Sequence, residues 1–147
     1  MTTLVEQVVS RLDAEVPGLK GRVEFVADLA ALVETGALPQ NEVAAYVVSL
    51  GFDDRGGEAA AGMHTQILDD AIGVILCVRS HGDAKARRAV PTVDALKDQT
   101  INVLAGWAPD DVIDVFHVTR GRLVSVTAGL VIYQIDFRLT DQLRIAT

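Results

Sequence analysis

Three histidines, one cysteine, a hexapeptide framed by glycines and three pairs of adjacent acids are the places in this 147-residue chain that first invite chemistry. His64, His81 and His117 stand at no i, i+3 or i+4 spacing from another His or Cys, and no carboxylate pair frames them. A metal centre would have to gather them from distant elements, so they read as surface or strand-edge side chains. Gly57-Glu58-Ala59-Ala60-Ala61-Gly62 has the glycine spacing of a phosphate-binding loop. Met63 and His64 then occupy the positions where such a loop needs Lys followed by Ser or Thr, which argues against nucleotide binding. Asp53-Asp54 and Asp69-Asp70 lack the alternating acids, Gly and later Glu of a calcium loop. Asp110-Asp111 follows Pro109 and reads as turn chemistry. No Ser sits in a Gly-x-Ser-x-Gly elbow. Cys77, between Leu76 and Val78, should be buried, with a raised pKa and no reactivity. Trp107 offers a stacking surface, but beside a helix stop it is expected to close the end of a core. The residues therefore point to no enzyme, no cofactor and no metal.

Bulk properties agree with that reading. Half the residues are hydrophobic and the net charge is −7, with a pI near 4.8 and a mean hydropathy of +0.30. Proteins that grip the nucleic-acid backbone usually carry the opposite sign, so tight DNA binding is not expected. The one basic cluster, Lys85, Arg87 and Arg88, lies among alanines and reads as a solvated helix face. No apolar run approaches the roughly 18 residues needed to cross a bilayer. Met1 to Ser10 has neither a basic n-region nor a continuous apolar stretch, so no signal peptide is expected, and a lone cysteine suits a reducing cytoplasm. One domain over 1–147 is expected. Its apolar surplus is met either by a well-filled monomer core or by self-association.

The elements that position these residues are legible from periodicity. Leu4, Val5, Val8, Val9, Leu12 and Val16 mark an amphipathic helix from about Thr3 to Glu15, stopped by Pro17-Gly18. Arg22 to Val26 reads as a short strand, Asp28 to Glu34 as a brief helix, and Glu42 to Leu50 as a strand. Gly51 to Gly62, with four glycines, reads as a flexible exposed loop at 51–62. Gln66 to Arg79 is the central strand. Its even positions (Leu68, Ile72, Val74, Leu76, Val78) should carry the helices, while the small odd face of Ala71, Gly73, Ile75 and Cys77 is free to pack on another subunit. Asp83 to Ala105 reads as the second major helix, kinked at Pro91 or, as favoured here, starting near it, and it stops at Leu104-Ala105-Gly106, before Trp107-Ala108-Pro109. Val112 to Thr119, Leu123 to Thr127 and Leu130 to Leu139 read as a meander turning at Arg120-Gly121 and Ala128-Gly129. In its last strand Gln134, Asp136 and Arg138 point away from the core. The fold class is α+β: a mainly antiparallel sheet with two main helices packed on one face.

The order of these elements resembles the tail terminator proteins of long-tailed bacteriophages, in the version found in Mu-like and related prophages. The likeness rests on the helix ending in Val16-Pro17-Gly18, on Ala27-Asp28-Leu29-Ala30-Ala31-Leu32 followed by Gly36-Ala37-Leu38-Pro39, and on the strand at Tyr46 to Leu50. It continues through the glycine-rich segment, Ile72 to Arg79, Leu104 to Pro109 and Gly121-Arg122-Leu123, covering nearly the whole chain. The resemblance implies a structural virion protein assembled in the host bacterial cytoplasm. Its role would be a homo-hexameric ring that caps the head-proximal end of the tail tube, halts tube polymerisation and receives the head-tail connector. DNA would pass through without specific binding, and no membrane is involved. Under that reading the expected contact residues are Asp53, Asp54, Arg55 and Glu58 in the 51–62 segment, Ala71, Gly73 and Ile75 on the small face, and Gln134, Asp136 and Arg138 on the last strand. Alternatives are a head-closure, neck or minor tail protein, or a small ligand-binding α+β domain with Trp107 and Tyr133 lining a pocket.

Overall fold

The computed structural model describes residues 3–25, 42–80, 82, 87–110, 112, 114–127 and 129–146. Helix α1 spans Leu4–Glu15 and is followed by a 3-10 turn at Pro17–Leu19 and strand β1 at Val23–Phe25. Then come β2 (Val43–Ala60), β3 (Met63–Arg79), helix α2 (Ala89–Leu104), β4 (His117–Thr127) and β5 (Leu130–Ala146). The five strands form one sheet in the order β1-β2-β3-β5-β4. Only β1 and β2 run parallel; the other three pairings are antiparallel. The α+β expectation holds. The brief helix expected at Asp28 to Glu34 lies outside the described residues.

Local chemistry sets the helix ends. The Thr3 hydroxyl accepts from the Glu6 amide at 3.1 Å, and the Glu6 carboxylate accepts from the Thr3 amide. This reciprocal cap satisfies two orphan donors. Val8 and Leu12 are fully buried on the sheet-facing stripe. In α2, Pro91 falls in the first turn, where no intrahelical partner for its missing N–H is needed. Gly106 closes the other end at φ +82°, a left-handed conformation that side chains resist.

Both helices pack on one face of the sheet. The core joins Val8, Leu12 and Val16 to Ile72, Val74 and Leu76, with Ile135, Phe137 and Leu139 of β5 beside them. The even positions of β3 thus carry the helices, as the alternation requires. The odd face departs from expectation. Cys77, Ala44, Tyr46 and Leu130 form a second small buried cluster there, with Ile75 and Ile132 against it. The half of that face nearest Arg79 is therefore occupied within the chain and is not an open small-residue surface.

Two assignments are corrected by the strand pairing. Residues 51–62 are not a flexible loop: β2 continues through them to Ala60 and turns at Ala61-Gly62 into β3. Its glycines sit at two bulges, between Ser49 and Gly51 and between Asp54 and Gly57, where one strand carries an extra residue. Arg120-Gly121 is likewise no turn. His117 to Thr127 is one strand, paired from His117↔Arg138 to Thr127↔Leu130, so the meander has two strands where three were expected. Gly121 serves close approach instead, because a Cβ there would lie 2.8 Å from the Tyr133 hydroxyl.

Candidate assembly interface

The sheet is longer than the helices that cover it. Every residue of β2 from Ser49 to Ala60 is exposed, and the facing parts of β3 (Met63 to Asp70) and β5 (Leu143 to Ala146) are half-buried or exposed. Residues 49–60, 63–70 and 140–146 thus make a three-stranded arm projecting beyond the body. The arm holds itself together with polar contacts. Asp54 accepts from the Gly56 amide at 2.8 Å and from the Gln66 side chain at 3.0 Å, pinning the second bulge to β3. Those two bonds, that of Gln66 foremost, hold the Asp54 carboxyl below its ordinary range. Arg55 pairs with Asp69 at 3.3 Å, and the Thr140 hydroxyl donates to Asp69 at 2.7 Å. Asp70 has a raised pKa, first through desolvation and then through the nearby charges of Asp141 and Asp69.

The expected contact residues fall into two groups. Asp53, Asp54, Arg55 and Glu58 lie exposed on the arm. The other six meet in one patch on the sheet face away from the helices, since Ala71 pairs with Arg138, Gly73 with Asp136 and Ile75 with Gln134. The Gln134 amide donates to Asp136 at 2.7 Å and accepts from Arg122. Gly73 is buried in this patch. A Cβ there would meet Gln134, Val48 and Asp136 at 3.2 to 3.3 Å, so the small residue makes room for a polar network.

The far edge of the sheet, expected as two separate strands of a meander, is the single strand β4. Among the described residues, no strand pairs with the outer side of β4. The strand is solvent-facing along nearly its whole length, and Leu123, Val124 and Val126 are exposed apolar side chains. Phe52 and Leu50 on the arm are exposed too, Phe52 to 67%. Glycines interrupting otherwise strand-like runs, at 51, 56 and 121, were the available signal for bulges and close approach.

The chemistry-bearing residues are dispersed. Cys77 is buried, which pushes its thiol up to about 11. His64 contacts Gln66, and His117 lies 3.6 Å from Asp114, whose carboxyl is held below its usual range chiefly by the Val115 amide. His81 lies outside the described residues. Among the described residues no group of three His, Cys, Asp or Glu side chains is placed to hold a metal ion. No described helix is long and apolar enough to cross a membrane. Trp107 stacks on Phe116 at 5.8 Å and lies under the Arg11 guanidinium at 4.7 Å. Trp107 lines one cleft, with Gln7, Arg11 and Asp110, and Tyr133 another, with Val93 and Leu123.

Comparison with known proteins decides among these readings. The profile of the phage tail terminator proteins matches residues 2–147. The chain belongs to the phage tail terminator family. Among solved structures, a chain from the virion of a native gene transfer agent particle is similar in fold, with a TM-score of 0.51 and 19% identity over 95% of each chain. No curated protein matches. Membership makes this terminator-family chain a structural protein of the virion.

Proposed function

We propose that this chain is the tail terminator itself: a subunit of a hexameric ring that caps the head-proximal end of the tail tube. The ring stops tube polymerisation and gives the head-tail connector its docking surface. One observation carries the reading beyond family membership. The arm extends a three-stranded sheet into solvent with no helix over it, and strands that lack a packed face need something to cover them for stability in water. A closed ring repeats one heterologous contact around an axis, so each subunit needs two different complementary patches. The arm and the β4 edge supply two.

Charge suits the passage of DNA. Six copies carry about −42, so a lumen of that sign repels the phosphate backbone and lets the genome slide without specific binding. The contact residues on the arm (Asp53, Asp54, Arg55, Glu58) are assigned to the next copy in the ring and the proteins adjoining it, and the patch of Ala71, Gly73, Ile75, Gln134, Asp136 and Arg138 to the lumen or the tube. Deleting Asp53 to Ala60 tests the proposal. The product should fold, because no residue of the core is removed, yet tails made with it should be unjoined to heads and over-long in negative-stain images. Normal virion yield from that deletion overturns the reading.

A further inference from the structure

We propose that the β2 arm of one copy seats alongside the β4 edge of the next, with Phe52 entering the apolar cleft between α2 and β4 and Asp53 facing Arg122. The inference rests on the ring reading and names the contact that would build it.

Charge is the first argument. The arm strands, 49–60, 63–70 and 140–146, carry six acids against two arginines, whereas β4 carries Arg120 and Arg122 and no acid. Arm repels arm, and the β4 edge attracts it, which favours a head-to-tail contact over a symmetric one.

Position in the sheet is the second and independent argument. Phe52 pairs with Asp70, an even residue of β3, and so lies on the helix-bearing side; Asp53 pairs with Asp69 and lies on the opposite side. On β4, Leu123 pairs with Tyr133 and Val126 with Val131, which places both on the helix-bearing side. Arg122 pairs with Gln134 and Arg120 with Asp136, on the opposite side. When two sheet edges are brought together so that the faces run on, apolar therefore meets apolar on one side and acid meets arginine on the other. The receiving cleft is about 200 Å³ and is lined by Val90, Val93, Leu123, Val126, Val131 and Tyr133, with Asp94 also on its wall. Val90 and Leu123 at its mouth are exposed, to 47% and 57%. Both edges are also free among the described residues, β2 from Val48 to Ala60 and β4 throughout, and a free edge is a template for another strand.

The test uses the full chain. Phe52→Cys combined with Leu123→Cys, under mild oxidation, should give a ladder of disulfide-linked species reaching six copies, while each single variant gives none; buried Cys77 stays silent. Arg122→Glu should weaken association at least about tenfold by light scattering, and adding Asp53→Arg to it should restore assembly by swapping the pair. A wild-type ring of about 94 kDa, six copies of 15.7 kDa, with no ladder and no effect of Arg122→Glu, overturns this contact and leaves the ring standing. A wild-type chain that stays monomeric at millimolar concentration overturns both.

Discussion

Gly57→Ala separates an ordered arm from a solvated loop more sharply than any other single change. A Cβ at position 57 would lie 2.2 Å from the Thr65 carbonyl oxygen and 2.6 Å from the Gln66 Cα. Both are backbone atoms of the paired strand, so no side-chain rotation relieves the overlap, and the strands must part by about 1 Å to reach van der Waals contact. Overpacking of that kind costs about 1–3 kcal/mol. The arm can escape only by releasing the last four pairs, Gly57↔Gln66 to Ala60↔Met63. Those pairs contribute no core burial, so the loss is local opening and not global unfolding. Hydrogen exchange followed by mass spectrometry should show amides of 57–66 exchanging roughly 5- to 150-fold faster, as 1–3 kcal/mol requires, while the melting temperature of the body stays put. Glu58→Ala, one residue along and exposed, is the control and should change little. In a flexible loop the same Gly→Ala change would be harmless or stabilise by about 0.4–1 kcal/mol. Exchange in Gly57→Ala no faster than in the parent chain refutes the paired arm.

Four further outcomes follow, three from the body and one from the arm. Thr100 is fully buried in α2 and its hydroxyl has no partner among the described residues, so Thr100→Val should stabilise by about 1 kcal/mol in a denaturant melt. Arg11 donates to the Val103 carbonyl at 2.8 Å and lies over Trp107, so Arg11→Ala should cost about 1–2 kcal/mol and alter Trp107 fluorescence. Asp70 has a folded pKa above 3.8, so its protonated form favours the folded state: stability from this group is present at low pH and lost as pH rises through the raised value. Asp70→Asn should therefore flatten that decline and stabilise the arm at pH 7 by no more than about a few tenths of a kcal/mol, since solvent screens the site. Cys77, with its thiol near 11, should resist a disulfide reagent at pH 8 until denaturant is added.

What could be read from the sequence was what buries surface. Leu4 to Val16, the even positions of β3 and the alternation Val131 to Leu139 all answer to one core, and a period is visible wherever one face meets it. The arm has no such asymmetry. Ser49 to Ala60 is exposed on both sides, so its strand character comes from pairing with residues up to twenty-three positions away in β3 rather than from any local pattern. In β4 the strand character was legible but its continuity was not, because Gly121 looked like a turn when its role is to clear the Tyr133 ring. The polar patch was partly legible, because Gln134, Asp136 and Arg138 alternate outward. That they lie opposite Ala71, Gly73 and Ile75 is a fact of register, which periodicity alone leaves open.

The division between a helix-covered body and a bare overhanging ribbon has a consequence for how this protein can change. Substitutions on the ribbon's surface touch no core atom, so they alter what it meets with almost no tax on folding. Such a chain can be refitted to a new neighbour one edge at a time while its interior is left alone.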